Sequence, residues 1–398
     1  MEQQLNKRIR IALISCYPIV ESRGGAERVF CNMANHFQSL GYEITAMCCE
    51  KRQGRPAYEL HESVEFINAY QPPSFLFRKP IQRLTTWAFT KSKRKELRLR
   101  AKTRWLANCL KNCMQRLKPA DIYIAFQPET AYVLKCVLKV PAPVVVMIHT
   151  NPRVYLSSHG LAVYGEVFAQ AEMVQVLLPE AANTIREVVS SEKIAVIPNV
   201  VPQLSASPDY RTHRVVCISR LDSIKRPMLL LEAFALLKDT YSDWNCEWWG
   251  GVSKGNEKLL KKLEMQIKTH GLRERFVFKG QTDNVVDKLL NASVFVIPSA
   301  IEGFSLAMAE AMAIGLPVIG CRDCSAVSCI IRPGENGYLS EPCPEDLATV
   351  LSQLIENVEL REKLGKQAKE DMKAYSADAV WGMWDDLIQR VIRENRSK

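Results

Sequence analysis

The 398-residue sequence lacks any uninterrupted apolar run that approaches the length of about 20 residues needed for a membrane-spanning helix. The N-terminal stretch 6–20, NKRIRIALISCYPIV, is first basic and then apolar, as in a signal peptide, but it lacks a clear small-residue cleavage site. The same stretch fits the first buried strand of an α/β domain, and we favour this interpretation. We therefore expect a cytoplasmic protein.

The sequence also lacks the ligand spacing of a zinc site. Cys321 and Cys324 form one Cys-x-x-Cys pair, with Cys329 and Cys343 beyond it, but no second pair and no histidines stand nearby. The thirteen cysteines are otherwise scattered among apolar residues, where a reduced thiol behaves as a small hydrophobe. We expect no metal site and no cofactor.

Acidic residues are nearly absent from one basic segment, residues 78–118, which carries 14 Lys/Arg and a single acid, Glu96, in a chain of net charge +10. The segment therefore contributes +13 and the rest of the chain about −3. It has no recognised nucleic-acid motif with regularly placed aromatic residues, so we expect no nucleic-acid partner. One interpretation is a solvated helix that packs on its own domain. The other, which we favour, is a surface that binds anionic lipid on the cytoplasmic face of the inner membrane.

Apolar strand patterns alternate with helical patterns along both halves of the chain, which predicts parallel sheets covered by helices. A polar stretch with two prolines, residues 202–210, fits a linker, after which the alternation restarts. We therefore predict an α/β protein of two Rossmann-like, doubly wound domains that face a central cleft, residues 1–202 and 203–375. The tail stretch VWGMWDDLIQRVI places Trp381, Trp384, Leu387, Ile388 and Val391 on one helical face, which predicts a docking helix.

The stretch IEGFSLAMAEAM, residues 301–312, places two glutamates, Glu302 and Glu310, in apolar surroundings between a predicted strand and the next strand. In an interpretation without function, Glu302 is an ordinary loop acid and Glu310 is a solvated residue on a helix that Ser305 caps. The functional interpretation places both carboxylates around a helix N-terminus, which favours an anion. A carboxylate accepts hydrogen bonds from vicinal hydroxyls, so a nucleotide sugar fits this layout of diol, diphosphate and diol.

Cations and glycines at other strand ends could meet the same diphosphate. Arg220 and Lys225 in SRLDSIKRP follow a predicted strand, where Arg can chelate a phosphate and Lys can act as a point charge. A solvated basic loop is the alternative. Gly24 and Gly25 follow the first strand and could bring the backbone against phosphate, although a tight turn explains them equally well.

The chain resembles the retaining family 4 glycosyltransferases of the GT-B fold, in particular those of bacterial surface-polysaccharide synthesis. The resemblance is carried, in order, by GGAER after the first strand, IPN at 197–199, SRLDSIKRP, the E-x7-E element from Glu302 to Glu310, and PGENGYL. It implies that residues 1–202 bind the acceptor, that residues 203–375 bind the nucleotide sugar, and that the helix in 376–398 packs back on the first domain. It further implies a donor sugar on Glu302, a ribose on Glu310 and phosphates on Arg220 and Lys225. Where many relatives have EGFG or EGFP, this chain has Ser305, which we expect still to cap the helix.

The resemblance also implies roles for further residues. His149, at the end of a predicted strand, corresponds to a histidine that faces the donor sugar in related enzymes, although a strand-end histidine bonded to backbone is the alternative. The implied catalytic residues are Glu302, Arg220, Lys225 and His149. The implied donor-binding residues are Gly24, Gly25, Asn199, Arg220, Lys225, Gly303, Phe304, Ser305, Leu306 and Glu310.

The expected activity is transfer of a hexose or N-acetylhexosamine from a nucleotide-diphosphate sugar to a lipid-linked or growing glycan, for example in lipopolysaccharide synthesis. No Asp-x-Asp occurs in the chain, which agrees with a metal-independent reaction. Two alternatives stay open: a transferase with a soluble acceptor, and a nucleotide-sugar-binding protein without turnover.

Overall fold

The computed structural model of the chain describes residues 8–72, 91–156 and 158–397, with the backbone alone in 91–96 and 158–163. The chain divides into two compact units. The first contains the residues up to 197 together with those from 381 onward, and the second contains residues 198–380. The predicted basic segment begins at residue 78, so its part up to residue 90 lies outside the described residues.

Each unit is built on one parallel sheet whose strands are short and largely apolar. The strands are β1 Arg10–Ser15, β2 Glu43–Cys48, β3 Glu65–Asn68, β4 Ile122–Ala125, β5 Val144–Ile148, β6 Met173–Val176, β7 Ile194–Val196, β8 Arg214–Ile218, β9 Asn245–Trp249, β10 Phe276–Gly280, β11 Val294–Ile297, β12 Val318–Cys321 and β13 Gly337–Ser340.

Helices connect the strands. In the described part of the chain they are α1 Gly25–Ser39, α2 Lys91–Met114, α3 Pro128–Tyr132, α4 Arg153–Leu156, α5 Ser158–Gln170, α6 Pro179–Ile185, α7 Pro227–Leu237, α8 Glu257–Thr269, α9 Val285–Leu290, α10 Leu306–Ile314, α11 Ser325–Ile330, α12 Pro344–Glu356, α13 Val358–Asp371 and α14 Ala377–Arg396.

The strand order positions the loops that matter for function. In the first unit the order is β3-β2-β1-β4-β5-β6-β7, and in the second it is β10-β9-β8-β11-β12-β13. The order therefore reverses between β1 and β4 in one sheet and between β8 and β11 in the other. In open α/β sheets, ligands bind outside the carboxyl ends of the strands at such a reversal. The fold confirms the prediction of two doubly wound, Rossmann-like α/β domains.

The cores explain why these sequences form buried strands. All residues of β4, β5, β11 and β12 are buried, as expected for strands that helices cover on both faces. The sequence of α1 predicts an apolar helical face that comprises Val29, Phe30, Met33, Ala34, Phe37 and Leu40, and Phe30, Met33 and Phe37 are buried there. Leu40, which the pattern placed on that face, is 47% exposed. The prediction was wrong there because α1 ends at Ser39 and Leu40 is already its C-cap.

The C-terminal helix α14 supplies residues to the first unit. Trp384, Leu387, Ile388 and Val391 are buried along one face, as the 3.6-residue period predicted. Trp381 stacks on His36 of α1, with ring centres 4.5 Å apart. No helix among the residues that the structure describes has both the length and the apolar character to cross a membrane.

Candidate functional site

The reversal point of the second sheet is bridged by a charge pair. Lys225 lies in the loop after β8 and Glu302 in the loop after β11, and Nζ of the first is 2.7 Å from Oε1 of the second. Both side chains are largely buried, with 14% and 12% of their surface exposed. A lysine and a carboxylate thus meet where this fold class binds its ligands.

The loop that carries Lys225 is held from both sides. Oδ1 of Asp222 accepts hydrogen bonds from the backbone N–H of Ile224 and of Lys225, at 3.0 and 3.2 Å. The next residue, Arg226, adopts a left-handed backbone conformation with φ of 48°. Its guanidinium donates two hydrogen bonds to Asp323, at 2.8 and 2.6 Å, and this lowers the pKa of the Asp323 carboxyl. The direction of Lys225 is therefore fixed by neighbours that sequence reasoning had not assigned a role.

A glycine also shapes this edge, and sequence reasoning missed it. A Cβ on Gly250 would lie 1.9 Å from the carbonyl oxygen of Ser219, so only glycine allows the loops after β8 and β9 to approach so closely. The backbone N–H of Leu221 donates to the carbonyl of Gly251 at 2.9 Å. Two glycines at the end of a predicted strand, in WWGG, are the signal that could have revealed this contact.

Arg220 differs from its neighbour Lys225 in having no partner. It follows β8, its side chain is exposed, and no hydrogen bond or ion pair to it occurs within residues 8–72, 91–156 and 158–397. A guanidinium that no carboxylate neutralises is available for an anionic ligand at the same edge of the sheet.

Glu310 is buried inside α10, with 6% of its surface exposed, so the interpretation of this residue as a solvated helical acid is wrong. Phe304 is also buried, and its ring centre lies 5.4 Å from that of Tyr375. Gly303 and Leu306 are half-buried around the start of the helix. Glu302 and Glu310 thus flank the N-terminus of α10 from the loop and from the second turn.

Ser305 occupies the N-cap position of α10, but the expectation that it caps the helix is wrong. Its backbone is left-handed, with φ of 61° and ψ of 80°, and its side chain makes no capping hydrogen bond. A capping serine needs extended backbone so that its hydroxyl turns back toward the second or third N–H of the helix. The first N–H groups of α10 are consequently not occupied by this hydroxyl, which leaves them able to meet an anion.

The remaining predicted site residues are divided between the two units. Asn199 belongs to the second unit and is 8% exposed. Gly24 and Gly25 belong to the first, where Gly24 precedes α1. A Cβ on Gly24 would lie 2.2 Å from Oε2 of Glu27, so the carboxylate occupies the place that a side chain would take. Glu27 in turn accepts a hydrogen bond from Ser22 at 2.8 Å.

His149 follows β5 of the first unit and has an unsatisfied ring nitrogen. Its Nε2 is buried and has no hydrogen-bond partner among the described residues. The ring packs on Phe126, with ring centres 4.2 Å apart. Burial lowers the pKa of His149 to about 4, so its imidazole is neutral near pH 7.

The Cys-x-x-Cys pair is buried, and burial raises the pKa of Cys321 and of Cys324 to about 11. Within the described part of the chain, no three His, Cys, Asp or Glu side chains are grouped so that they could hold a metal ion. These thiols therefore lie in the core as small apolar side chains.

Comparisons with known proteins agree with the fold and place it in a family. Residues 23–203 match the model of Glycosyltransferase Family 4, and residues 208–371 match that of Glycosyl transferases group 1. Sucrose-phosphate synthase from Thermosynechococcus elongatus has a similar structure, with a TM-score of 0.78 at 19% identity, covering 97% of this chain and 100% of that one. A mutant of TarM from S. aureus, in complex with Fondaparinux, alpha-GlcNAc-glycerol and UDP, has a TM-score of 0.75 at 17% identity, covering 95% and 99%.

A curated relative, the poly(ribitol-phosphate) alpha-N-acetylglucosaminyltransferase of Staphylococcus aureus (strain COL), is 30% identical over 202 residues, which is 50% of this chain and 40% of the relative. The chain spans between 21% and 60% of the length of the curated relatives it matches. The two family models adjoin and together match most of the chain, and its two parallel sheets have the GT-B fold. The chain thus belongs to the glycosyltransferases that combine a Family 4 domain with a group 1 domain on the GT-B fold.

Proposed function

We propose that this protein is a retaining glycosyltransferase that moves a hexose or N-acetylhexosamine from a nucleotide-diphosphate sugar to a glycan in surface-polysaccharide synthesis. The observation that carries the proposal is the arrangement around α10: Lys225 and Glu302 lie 2.7 Å apart at the reversal of the sheet, and Glu310 is buried in the helix behind them. UDP in the complex of the structural neighbour TarM supports a nucleotide donor.

The proposed donor pose assigns each group a chemical task. The diphosphate occupies the N-terminus of α10, where the backbone from Gly303 to Leu306 approaches it and N–H groups that the Ser305 hydroxyl does not cap favour negative charge. Arg220 and Lys225 neutralise the phosphate charge that develops as the sugar leaves, so the reaction proceeds without a metal. Glu302 accepts hydrogen bonds from the donor sugar and Glu310 accepts them from the ribose.

The remaining residues of the proposal act on the same donor. The buried Nε2 of neutral His149 makes a single hydrogen bond with a sugar hydroxyl, as donor or as acceptor. Gly24 and Gly25 present backbone N–H groups to the phosphates, and Asn199 contributes a side-chain amide. In retaining chemistry of this type the acceptor hydroxyl enters on the face from which the leaving group departs.

Relatives support two classes of acceptor. The poly(ribitol-phosphate) enzyme acts on a polymer, which favours a growing or lipid-linked glycan. Sucrose-phosphate synthase has a small soluble product, which favours the alternative of a soluble acceptor. A nucleotide-sugar-binding protein without turnover is the weaker hypothesis, because charge-stabilising groups accompany the binding carboxylates.

Helix α2 supports a peripheral attachment to the cytoplasmic face of the inner membrane. Leu106, Cys109 and Leu110 are buried in the core of the first unit, as the solvated-helix interpretation also requires. The cations of α2 from residue 98 onward are exposed to solvent: Arg98, Arg100, Lys102, Arg104 and Lys111. A helix with a buried apolar face and an exposed basic face suits an anionic lipid surface, which would carry the acceptor.

A panel of nucleotide sugars tests the proposal. We expect one nucleoside diphosphate and its sugar conjugates to raise the melting temperature of the protein, and the conjugate to be hydrolysed slowly without an acceptor. Hydrolysis should persist in EDTA. Thermal stabilisation without any hydrolysis would favour the binding-protein alternative, and a strict need for a divalent metal would contradict the metal-free mechanism.

A further inference from the structure

The reversal point of the first sheet is bridged in the same way as that of the second. Tyr17 lies just beyond β1 and Glu129 just beyond β4, and these two strands are neighbours at the point where the strand order reverses. The Tyr17 hydroxyl donates a hydrogen bond of 2.7 Å to Oε1 of Glu129. The crevice outside the carboxyl ends of two such strands is the general ligand position in open α/β sheets.

The second oxygen of Glu129 has no donor. Oε2 is buried and has no hydrogen-bond partner among the described residues. An unsatisfied buried carboxylate oxygen is costly, because the oxygen has lost water without gaining a replacement. The position therefore calls for a hydrogen-bond donor from a bound molecule.

Aromatic side chains surround this carboxylate. Tyr155 and Tyr164 are both more than nine-tenths buried, and their rings meet edge to face with centres 5.3 Å apart. Burial and the charge of Glu129 raise the pKa of the Tyr164 hydroxyl, so that hydroxyl stays protonated. Tyr17 is 39% exposed and connects the cluster to solvent. Apolar and aromatic walls with few polar groups are typical of small-molecule sites.

Two hydrogen bonds hold the cluster in place. The backbone N–H of Cys16 donates to the Thr130 hydroxyl at 3.1 Å, and Nε2 of Gln127 donates to Oγ of Ser15 at 3.0 Å. These bonds join the end of β1 to the residues that follow β4, next to the Tyr17–Glu129 pair. The carboxylate is thus supported by a rigid frame rather than by a mobile loop.

We propose that Glu129 and the tyrosines around it form a subsite for a neutral, hydroxyl-bearing sugar residue of the acceptor. A carboxylate accepts hydrogen bonds from sugar hydroxyls. The crevice of the second unit instead presents Lys225 and the exposed guanidinium of Arg220, which has no partner among the described residues, and these cations favour phosphate. The subsite deepens the proposed glycosyltransferase function and rests on it, because it names the chemical class of the group that receives the sugar.

The experiment uses methyl glycosides of glucose, galactose and N-acetylglucosamine as probes, with binding followed by saturation-transfer NMR and titration. We expect wild-type protein to bind at least one of them. Glu129→Gln should weaken that binding about tenfold or more, the size of a lost charge-assisted hydrogen bond, and Tyr17→Phe should weaken it less. The matched control is Glu62→Gln, which removes an exposed charge from the same unit and should bind as wild type does.

Nucleoside-diphosphate binding and thermal unfolding, measured on all four proteins, show whether a variant is merely misfolded. Failure of wild-type protein to bind any of the three glycosides would overturn the subsite, and so would wild-type affinity in folded Glu129→Gln and Tyr17→Phe. If wild-type protein bound a glycoside but no nucleoside diphosphate, the result would contradict the proposed donor chemistry and still support the subsite.

Discussion

Lys225 and Glu302 form an ion pair across the reversal of the second sheet, although they lie 77 positions apart in the sequence. The sequence assigned them to different parts of one donor, the phosphates and the sugar. Their pairing means that a bound donor must either loosen this contact or use both groups from the positions that the pair enforces. Because both side chains are largely buried, each charge depends on the other for compensation.

The first prediction is that the effects of Lys225→Met and Glu302→Gln on the free energy of unfolding are coupled. Each single variant should lose about 1.5–3 kcal/mol of unfolding free energy, since it leaves a partly buried charge without its partner. The double variant should lose clearly less than the sum. Denaturant unfolding of the four proteins gives the coupling energy, and strict additivity would show that the pair contributes nothing. Transfer by Lys225→Met should fall by about 10²-fold or more.

The second prediction separates the two glutamates. Glu310→Gln removes the charge of a buried side chain that we assign to the ribose, so nucleoside-diphosphate affinity should fall by about 1.5–3 kcal/mol. Glu302→Gln should bind the nucleoside diphosphate nearly as wild type does and lose turnover instead. Calorimetry with the best-stabilising nucleoside diphosphate measures the difference. Wild-type affinity in both variants would contradict the donor pose.

The third prediction concerns Ser305, whose φ of 61° is unfavourable for any residue with a Cβ. Ser305→Gly should stabilise the protein by about 0.5–1.5 kcal/mol, because relief of a strain of about 1–3 kcal/mol exceeds the entropy cost of glycine. Ser305→Ala is the matched control: it removes the hydroxyl but keeps the strain, so it should bring no gain. Equal stabilities of the Gly and Ala variants would mean that the backbone is not strained here.

Short apolar runs in the sequence predicted most of the strands, because fully buried parallel strands must be apolar along their whole length. The alternation of these runs with helical patterns predicted the doubly wound fold. β13, Gly337–Ser340, was not predicted, since four residues that begin with glycine and end with serine carry no apolar run. The left-handed backbone of Ser305 was also missed. A serine before an apolar helix is the ordinary capping pattern, and nothing in that pattern reveals the sign of φ.

The sequence named the charged residues of the second unit but not their partners. Arg226 and Asp323 are 97 positions apart, and Tyr17 and Glu129 are 112 apart. Such pairs are created by strand order, which decides whose carboxyl ends are neighbours. Local patterns predict that strands exist and cannot predict that order, so the two bridged reversal points appear only in the structure.

The fourth prediction is a pH dependence from His149. Its folded-state pKa of about 4 lies below the ordinary value of 6.5, so between these values the unfolded chain binds a proton that the folded chain does not. Stability should therefore fall as the pH drops from 6.5 toward 4, and His149→Gln should flatten that fall. Burial also lowers the pKa of His36, so His36→Gln serves as the comparison variant. Identical pH profiles for wild type and His149→Gln would contradict the burial of a neutral imidazole.

The fifth prediction is that the protein sediments with anionic vesicles at low salt. Each Lys or Arg near such a surface contributes about 1 kcal/mol, so five of them supply about 5 kcal/mol, enough for reversible attachment. The test variant replaces five cations at the start of α2 with Ser, two of which, Arg98 and Arg100, have described and exposed side chains. The other three are Lys93, Arg94 and Lys95.

A second five-site variant controls for the loss of net charge. Lys254, Lys258, Lys261, Lys262 and Lys268 are exposed in and before α8 of the second unit. Their replacement by Ser removes the same charge and should leave sedimentation largely intact, whereas the α2 variant should stay in the supernatant. Salt should release the wild-type protein because it screens these contacts. Equal losses in both variants would mean that net charge alone drives binding, and equal recovery with neutral vesicles would favour a soluble acceptor.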